Sequence, residues 1–195
     1  MQTIFIFGNA GIDARRKQYH NVMRMKDAEE RATFEQMMVP YLDSAYNLAR
    51  WLTGNGHDAE DVVQEAYLRA FRYFDSFAGG DGRAWMLGIV RNTCLTWRSR
   101  QRDDSVFDER MHSPESERAS PENEALRRSG LNSLHDCLES LPLEYREVLV
   151  MRELEEMSYQ QIAAVAALPI GTVMSRLSRG RKRLEDCVRT KQEEK

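Results

Sequence analysis

Residues 158–177, Ser-Tyr-Gln-Gln-Ile-Ala-Ala-Val-Ala-Ala-Leu-Pro-Ile-Gly-Thr-Val-Met-Ser-Arg-Leu, read as two short helices joined by a tight turn. Ser158 is the residue type that caps the free N–H groups of a starting helix. Ile162, Ala163 and Val165 share one face, and small Ala163 admits a close neighbour. Ala167-Leu168-Pro169 makes the turn, with Pro169 suited to the first position of the next helix. Ile170, Val173, Leu177 and Leu184 predict the buried stripe of that helix, leaving Thr172, Ser175, Arg176 and Arg179 pointing outward. A helix of this kind fits the major groove of DNA, where its N-terminal side chains meet base edges and flanking cations meet phosphates. Ser175 and Arg176 are therefore the candidate base readers, while Arg179, Arg181, Lys182 and Arg183 suit the backbone. A helical hairpin with a basic surface is the bland alternative. Core spacing, a small-residue turn and a basic exit occur together here and favour the helix-turn-helix.

The same periodicity extends outward in both directions. Leu131, Leu134, Leu138 and Leu141 mark a helix ended by Pro142, and Tyr145, Val148, Leu149 and Met151 mark the next. These helices define a second domain at 129–189, with a tail at 190–195. Before it, residues 103–128 are acidic, contain Pro114 and Pro121, and have few large apolar residues, the composition of a flexible linker. Further upstream, Phe34, Met37, Met38, Tyr41, Leu42, Ala45, Leu48, Ala49 and Leu52 predict one amphipathic helix from Thr33, stopped by Gly54-Asn55-Gly56. A second helix from near Asp58 carries Ala59, Val62, Val63, Ala66, Ala70 and Phe74, and Gly79-Gly80-Asp81-Gly82 breaks it from a third over Arg83–Arg100. That makes a first domain at 31–102, preceded by a leader at 1–30 in which Met23 or Met25 is a candidate natural start. The expected fold is all-α: two small helical domains on a flexible acidic tether.

Charge is segregated. The net charge is −3, yet residues 69–102 carry seven Arg against Asp75 and Asp81, and residues 169–191 carry seven Lys or Arg against Glu185 and Asp186. Residues 57–65 are acidic without a cation, and 103–124 hold eight acids against Arg110 and Arg118. Alternating blocks suit several partners of opposite sign, with the basic ones facing phosphates. Cys94, Cys137 and Cys187 lie far apart without metal-ligand spacing, so buried free thiols are expected, with neither a metal site nor a disulfide framework. His20, His57, His112 and His135 are scattered, no nucleophile sits beside a base in any motif, and no phosphate-binding glycine loop precedes a helix. We therefore expect no enzyme, no catalytic residue and no cofactor. Ile4–Phe7 is too short to span a bilayer or act as a signal core, which points to the cytoplasm.

Three stretches carry a resemblance. Leu141-Pro142-Leu-Glu-Tyr-Arg-Glu-Val-Leu, Leu154-Glu-Glu-Met-Ser-Tyr-Gln-Gln-Ile-Ala and Pro169-Ile-Gly-Thr-Val-Met-Ser-Arg-Leu resemble the C-terminal domain of sigma-70 family factors of the extracytoplasmic-function group. That resemblance implies a sigma-4-like domain reading the upstream (−35) promoter element as duplex, through Thr172, Ser175, Arg176, Arg179, Lys182 and Arg183. Two residues depart from the family: Ala167 stands where the turn usually has Gly, and Met174 stands at an often basic position.

Asp58-Ala-Glu-Asp-Val-Val-Gln-Glu-Ala-Tyr-Leu-Arg-Ala-Phe71 is similar to the same family's helix that docks on the clamp helices of the polymerase's largest subunit. This implies core RNA polymerase as partner, through Asp58, Asp61, Gln64 and Glu65. The residues agree, because Asp61 and Glu65 lie one turn apart opposite the apolar stripe and suit a basic surface. A solvated face with a Glu65–Arg69 ion pair is the alternative. Phe77-Ala-Gly-Gly-Asp-Gly-Arg-Ala-Trp85 and Ile89–Arg102 resemble the sigma-2-like segment for the melted downstream (−10) element. There the resemblance implies Gly80, Asp81, Arg83, Arg91, Asn92, Trp97, Arg98 and Arg102 as contacts, with aromatic faces for stacking bases. Trp85 reads rather as core. The whole implies a sigma factor that directs promoter-specific initiation, and the family implies an anti-sigma factor as a further partner, which no residue here identifies. A dimeric regulator of the LuxR-like type is the alternative function. It predicts a sensory or dimerising N-terminal domain in place of the acidic helix and Arg–Trp helix.

Overall fold

Pro40 decides how the first domain begins. Proline lacks the N–H that a helix interior needs and crowds the preceding turn. In the computed structural model, which describes residues 28–107 and 131–193, the single expected helix is accordingly split. Helix α1 spans Ala28–Met38, a 3-10 turn follows at Val39–Tyr41, and α2 spans Leu42–Thr53. The hydroxyl of buried Tyr67 donates to Met38 O at 2.9 Å and fastens the break. Gly54 closes α2 at φ 96°, a left-handed backbone that suits glycine.

Helix α3 spans Gly56–Arg72 and starts earlier than expected, because Asn55 is its cap: the Asp58 N–H donates to Asn55 Oδ1 at 2.8 Å. Helix α4 spans Gly82–Phe107 and runs into the acidic stretch read as linker. Helices α2, α3 and α4 pack on one another around Leu48, Leu52, Val62, Val63, Tyr67, Met86, Leu87 and Val90. Phe34 of α1 seals one end, edge-on to Tyr67, Phe71 and Phe74. Trp85 lies against Phe77 at 5.1 Å, in keeping with a core role.

The second domain comprises α5 (Leu131–Ser140), α6 (Leu143–Leu149), a π-helical turn (Val150–Leu154), α7 (Tyr159–Ala166) and α8 (Ile170–Glu193). Ser158 caps α7 reciprocally: the Gln161 N–H donates to Ser158 Oγ at 3.2 Å, and the Ser158 N–H to Gln161 Oε1 at 2.7 Å. Ala167 takes φ 52°, so alanine holds the left-handed backbone usually given to glycine. The chain then bends by 102° between α7 and α8. Val173 and Leu177 are buried as expected, but Ile170 is 43% exposed, lying beyond the edge of the buried stripe. Gly180 sits against α6, where an added Cβ would meet Leu149 Cδ1 at 3.0 Å. Glycine there lets α8 press onto α6.

The cysteine expectation needs correcting. Cys137 and Cys187 form a disulfide across 50 residues, with Cα atoms 5.8 Å apart. Helix α5 lies along the C-terminal half of α8, where Lys191 also pairs with Asp136 at 2.9 Å, and that packing brings two distant cysteines together. Cys94 is free and buried as expected, and burial pushes its thiol up to about 12. Among the described residues there is no strand, and no single helix is long and apolar enough to cross a membrane. Residues 1–27, 108–130 and 194–195, which hold most of the leader and linker and part of the tail, lie outside the described residues.

Candidate nucleic-acid interface

The two domains meet along a seam of buried charge. Glu147 of α6 is 3% exposed and accepts from three guanidinium nitrogens. Arg91 of α4 reaches it twice, Nε to Oε2 at 2.8 Å and Nη2 to Oε1 at 3.3 Å, and Arg176 of α8 donates Nη1 to Oε1 at 3.0 Å. Glu144 takes a further nitrogen of Arg176 at 3.4 Å. A carboxylate buried this deeply is tolerable only with such partners.

A second buried acid, Glu155, is 4% exposed and works in the same way. Its carboxylate binds Arg83, its carbonyl accepts from Arg83 Nη1 at 2.6 Å, and Asn47 donates to it at 3.2 Å. Arg83 also donates to Ser44 Oγ at 3.0 Å. At the loop, Gln161 of α7 donates to Asp81 Oδ2 at 2.6 Å while Asp81 Oδ1 accepts the Ala84 N–H at 2.9 Å, capping α4. These bonds, led by the Ala84 N–H, hold the Asp81 carboxyl below its ordinary range. At the far end, Arg146 Nη1 donates to Trp51 O at 3.1 Å, and Arg50 pairs with Glu139 at 3.5 Å. Burial, followed by the nearby charge of Arg98, lowers the Arg146 pKa.

The downstream-element candidates therefore divide. Arg83, Arg91 and Asp81 are engaged with the second domain. Gly80, at φ 99°, and Asn92 are exposed. Trp97 is half-buried against the first domain's core, and Arg98 donates to Leu52 O at 2.9 Å, satisfying the end of α2. The side chain of Arg102 lies outside the described residues.

The upstream-element candidates divide as well. Thr172 is half-buried and Arg176 is tied to the seam, whereas Ser175, Arg179, Lys182 and Arg183 are exposed. Arg179 and Lys182 make no ion pair among the described residues. Arg183 rests over the Tyr145 ring at 5.1 Å, a cation–π contact. Arg181 is held by Glu153 at 2.7 Å, which raises its pKa.

On α3, Asp61 and Glu65 are exposed opposite the buried stripe, as expected. Glu65 accepts from Arg69 at 2.7 Å, and Asp58 bonds to the Asn55 cap.

Residues 37–103 match sigma-70 region 2, and residues 131–184 match sigma-70, region 4. This chain belongs to the sigma-70 family. Within it, the relatives are extracytoplasmic-function sigma factors. The chain is 34% identical over 158 residues to the ECF RNA polymerase sigma factor SigE of Mycolicibacterium smegmatis, spanning 79% of this chain and 61% of that protein. It is 32% identical over 177 residues to the ECF RNA polymerase sigma-E factor of Escherichia coli strain K12, spanning 86% and 92%. Among solved structures it resembles the sigma factor RpoE bound to the anti-sigma factor NepR from Bartonella quintana, with TM-score 0.66 and 24% identity over 80% of this chain and 97% of that one. Region 2 thus runs from the end of α1 through most of α4, and region 4 from α5 through α6 and α7 into α8.

The acids of the seam, Glu147 and Glu155, are not among the sequence-predicted site residues. A signal was there: Glu147 falls between Leu143 and Val150–Met151 on one apolar stripe. A carboxylate at such a position is buried and needs a cation.

Proposed function

We propose that this sigma factor delivers core RNA polymerase to promoters, docking through the exposed acidic face of α3 and reading DNA with both domains. The observation that carries the reading is the coexistence of region 2 and region 4 in one chain with a basic outward face on α8. Asp61, Gln64 and Glu65, with Asp58 at the helix start, meet the clamp helices of the largest polymerase subunit by charge complementarity. Ser175 and Arg179 face the base edges of the upstream element, while Lys182 and Arg183 hold its phosphates. Arg176 is held by Glu144 and Glu147 of α6 in its own domain and joins the contact only when those carboxylates release it, with half-buried Thr172 one turn before it. In the downstream element, Gly80, Asp81, Arg83, Arg91, Asn92, Trp97, Arg98 and Arg102 line the path of the opened strand. Of these, Arg83 and Arg91 become free for phosphate only when Glu155 and Glu147 release them.

The arrangement is therefore a closed one, and engagement with polymerase separates the domains. The relative solved with an anti-sigma factor supports a protein partner of that kind here, acting in the cytoplasm. The chain contributes no catalytic residue of its own, and hydrolysis of nucleotides by the purified protein without polymerase would contradict that.

The deciding experiment is transcription from a random promoter library with core polymerase plus this protein. RNA chains should start at defined sites, and initiation no different from core enzyme alone would overturn the reading. Within such promoters, Lys182→Ala should lower the salt dependence of binding by about one ion, evenly across sequences. A LuxR-like regulator would instead fail to compete with other sigma factors for core polymerase.

A further inference from the structure

Met174 stands on the outward side of α8 with 53% of its surface exposed, the most exposed of the large apolar residues on that helix. Ile170, one turn earlier, is 43% exposed. Met174, Ser178 and Lys182 follow one another at four-residue steps, all exposed, so the thioether lies on the line that ends in a cation. Ser175 and Arg179 border that line. On the flank beside Met174 the nearest cation, Arg181, is already held by Glu153. With that cation paired, what Met174 itself offers there is apolar surface.

A major groove presents one apolar group of its own, the C5-methyl of thymine. A flexible, polarisable methionine can follow such a methyl more readily than a branched side chain. We propose that Met174, backed by Ile170, is a specificity-determining residue that reads a thymine methyl in the upstream promoter element. The inference rests on the reading of α8 as the groove-bound helix. It assigns one position of the element to hydrophobic contact and not to a hydrogen bond.

The test removes the methyl from the DNA. Complete holoenzyme is bound to a promoter recovered from the random library, with each thymine of the upstream element, on either strand, replaced singly by deoxyuridine. One or two positions should lose about fourfold in affinity, the transfer value of a methyl-sized group. With Met174→Ala the same replacements should change affinity less than about twofold, and Met174→Leu should restore part of the sensitivity. Uniform tolerance of deoxyuridine, an undiminished penalty in Met174→Ala, or an upstream element without thymine would overturn the proposal. Arg179→Ala and Lys182→Ala separate this failure from a deeper one. If they weaken promoter binding while deoxyuridine is silent, only the methyl contact falls. If they too are silent, α8 is not the groove helix.

Discussion

Arg176 and Arg179 sit three residues apart on one helix and share a chemistry, yet the fold treats them oppositely. Arg176 turns toward the seam, where Glu147 at 3.0 Å and Glu144 at 3.4 Å enclose it. Arg179 faces water with no ion-pair partner among the described residues. The difference comes from what the facing element supplies, since α6 presents carboxylates to Arg176 and, among the described residues, no carboxylate pairs with Arg179. The first domain repeats the contrast, with Arg83 and Arg91 held by acids while Asn92, next to Arg91, stays exposed. A cation's availability to DNA is therefore set as much by the element that faces it, in its own domain for Arg176 and in the other domain for Arg83 and Arg91, as by its own position.

The strongest way to break this contrast is to remove the shared acid. Glu147→Gln leaves Arg91 and Arg176 partly buried without their carboxylate, and stripping one partner from a buried pair costs about 3–5 kcal/mol. Denaturant unfolding should show that loss, and a distance probe between α3 and α8 should show the domains parting. Unchanged stability with an unchanged distance would mean that the seam is not held by Glu147. The next test sharpens the contrast on α8 itself. Arg179→Ala should weaken promoter binding by about 2 kcal/mol with little change in stability. Arg176→Ala should do the reverse, lowering stability and loosening the seam. If Arg176→Ala instead shifts preference at one promoter base without touching stability, the outward and inward roles are exchanged.

Much of this is legible in the sequence. The helix-turn-helix, the Ser158 cap, the core stripes and the exposed acids of α3 all follow from period and residue type, because each depends on neighbours within a few positions. What escaped depends on neighbours far along the chain. Pro40 was visible, but the apolar spacing across it was too regular to suggest a break. The disulfide links Cys137 with Cys187 over 50 residues, a pairing that only the packing of α5 along α8 creates. The seam escaped for the same reason, since Arg91 and Glu147 are 56 positions apart. Spacing alone predicts Ile170 as core, yet it is 43% exposed at the N-terminal end of α8.

That bend offers a smaller test. Ala167 holds φ 52°, a left-handed backbone that costs a non-glycine residue about 1 kcal/mol. Ala167→Gly should therefore stabilise the protein by up to about 0.5 kcal/mol, the rest of the relief being lost to glycine's freedom in the unfolded chain. Promoter affinity should stay level if the bend already presents the outward face of α8 correctly. A gain in affinity would mean that the alanine had been holding the helix off its groove.

The smallest expected effect lies where the seam reaches solvent. Asp81 is held below its ordinary value of 3.8, first by the Ala84 N–H and then by the Gln161 amide, with burial opposing. A group whose folded-state pKa is depressed contributes stability that is present above its unfolded pKa and lost as pH falls through the folded one. The Asp81–Gln161 contact should thus be intact at neutral pH and fail only below 3.8. Stability of the wild type and of Asp81→Asn, followed from about pH 5 to about pH 2, should converge as acid removes the charge that the asparagine never had. Parallel curves would show that the Asp81 charge contributes nothing to this corner of the seam, leaving closure to the other contacts across it. Convergence would extend the rule drawn from Arg176 and Arg179 to an acid: the residue that caps α4 in the closed form must give up Gln161 before it can face an opened strand.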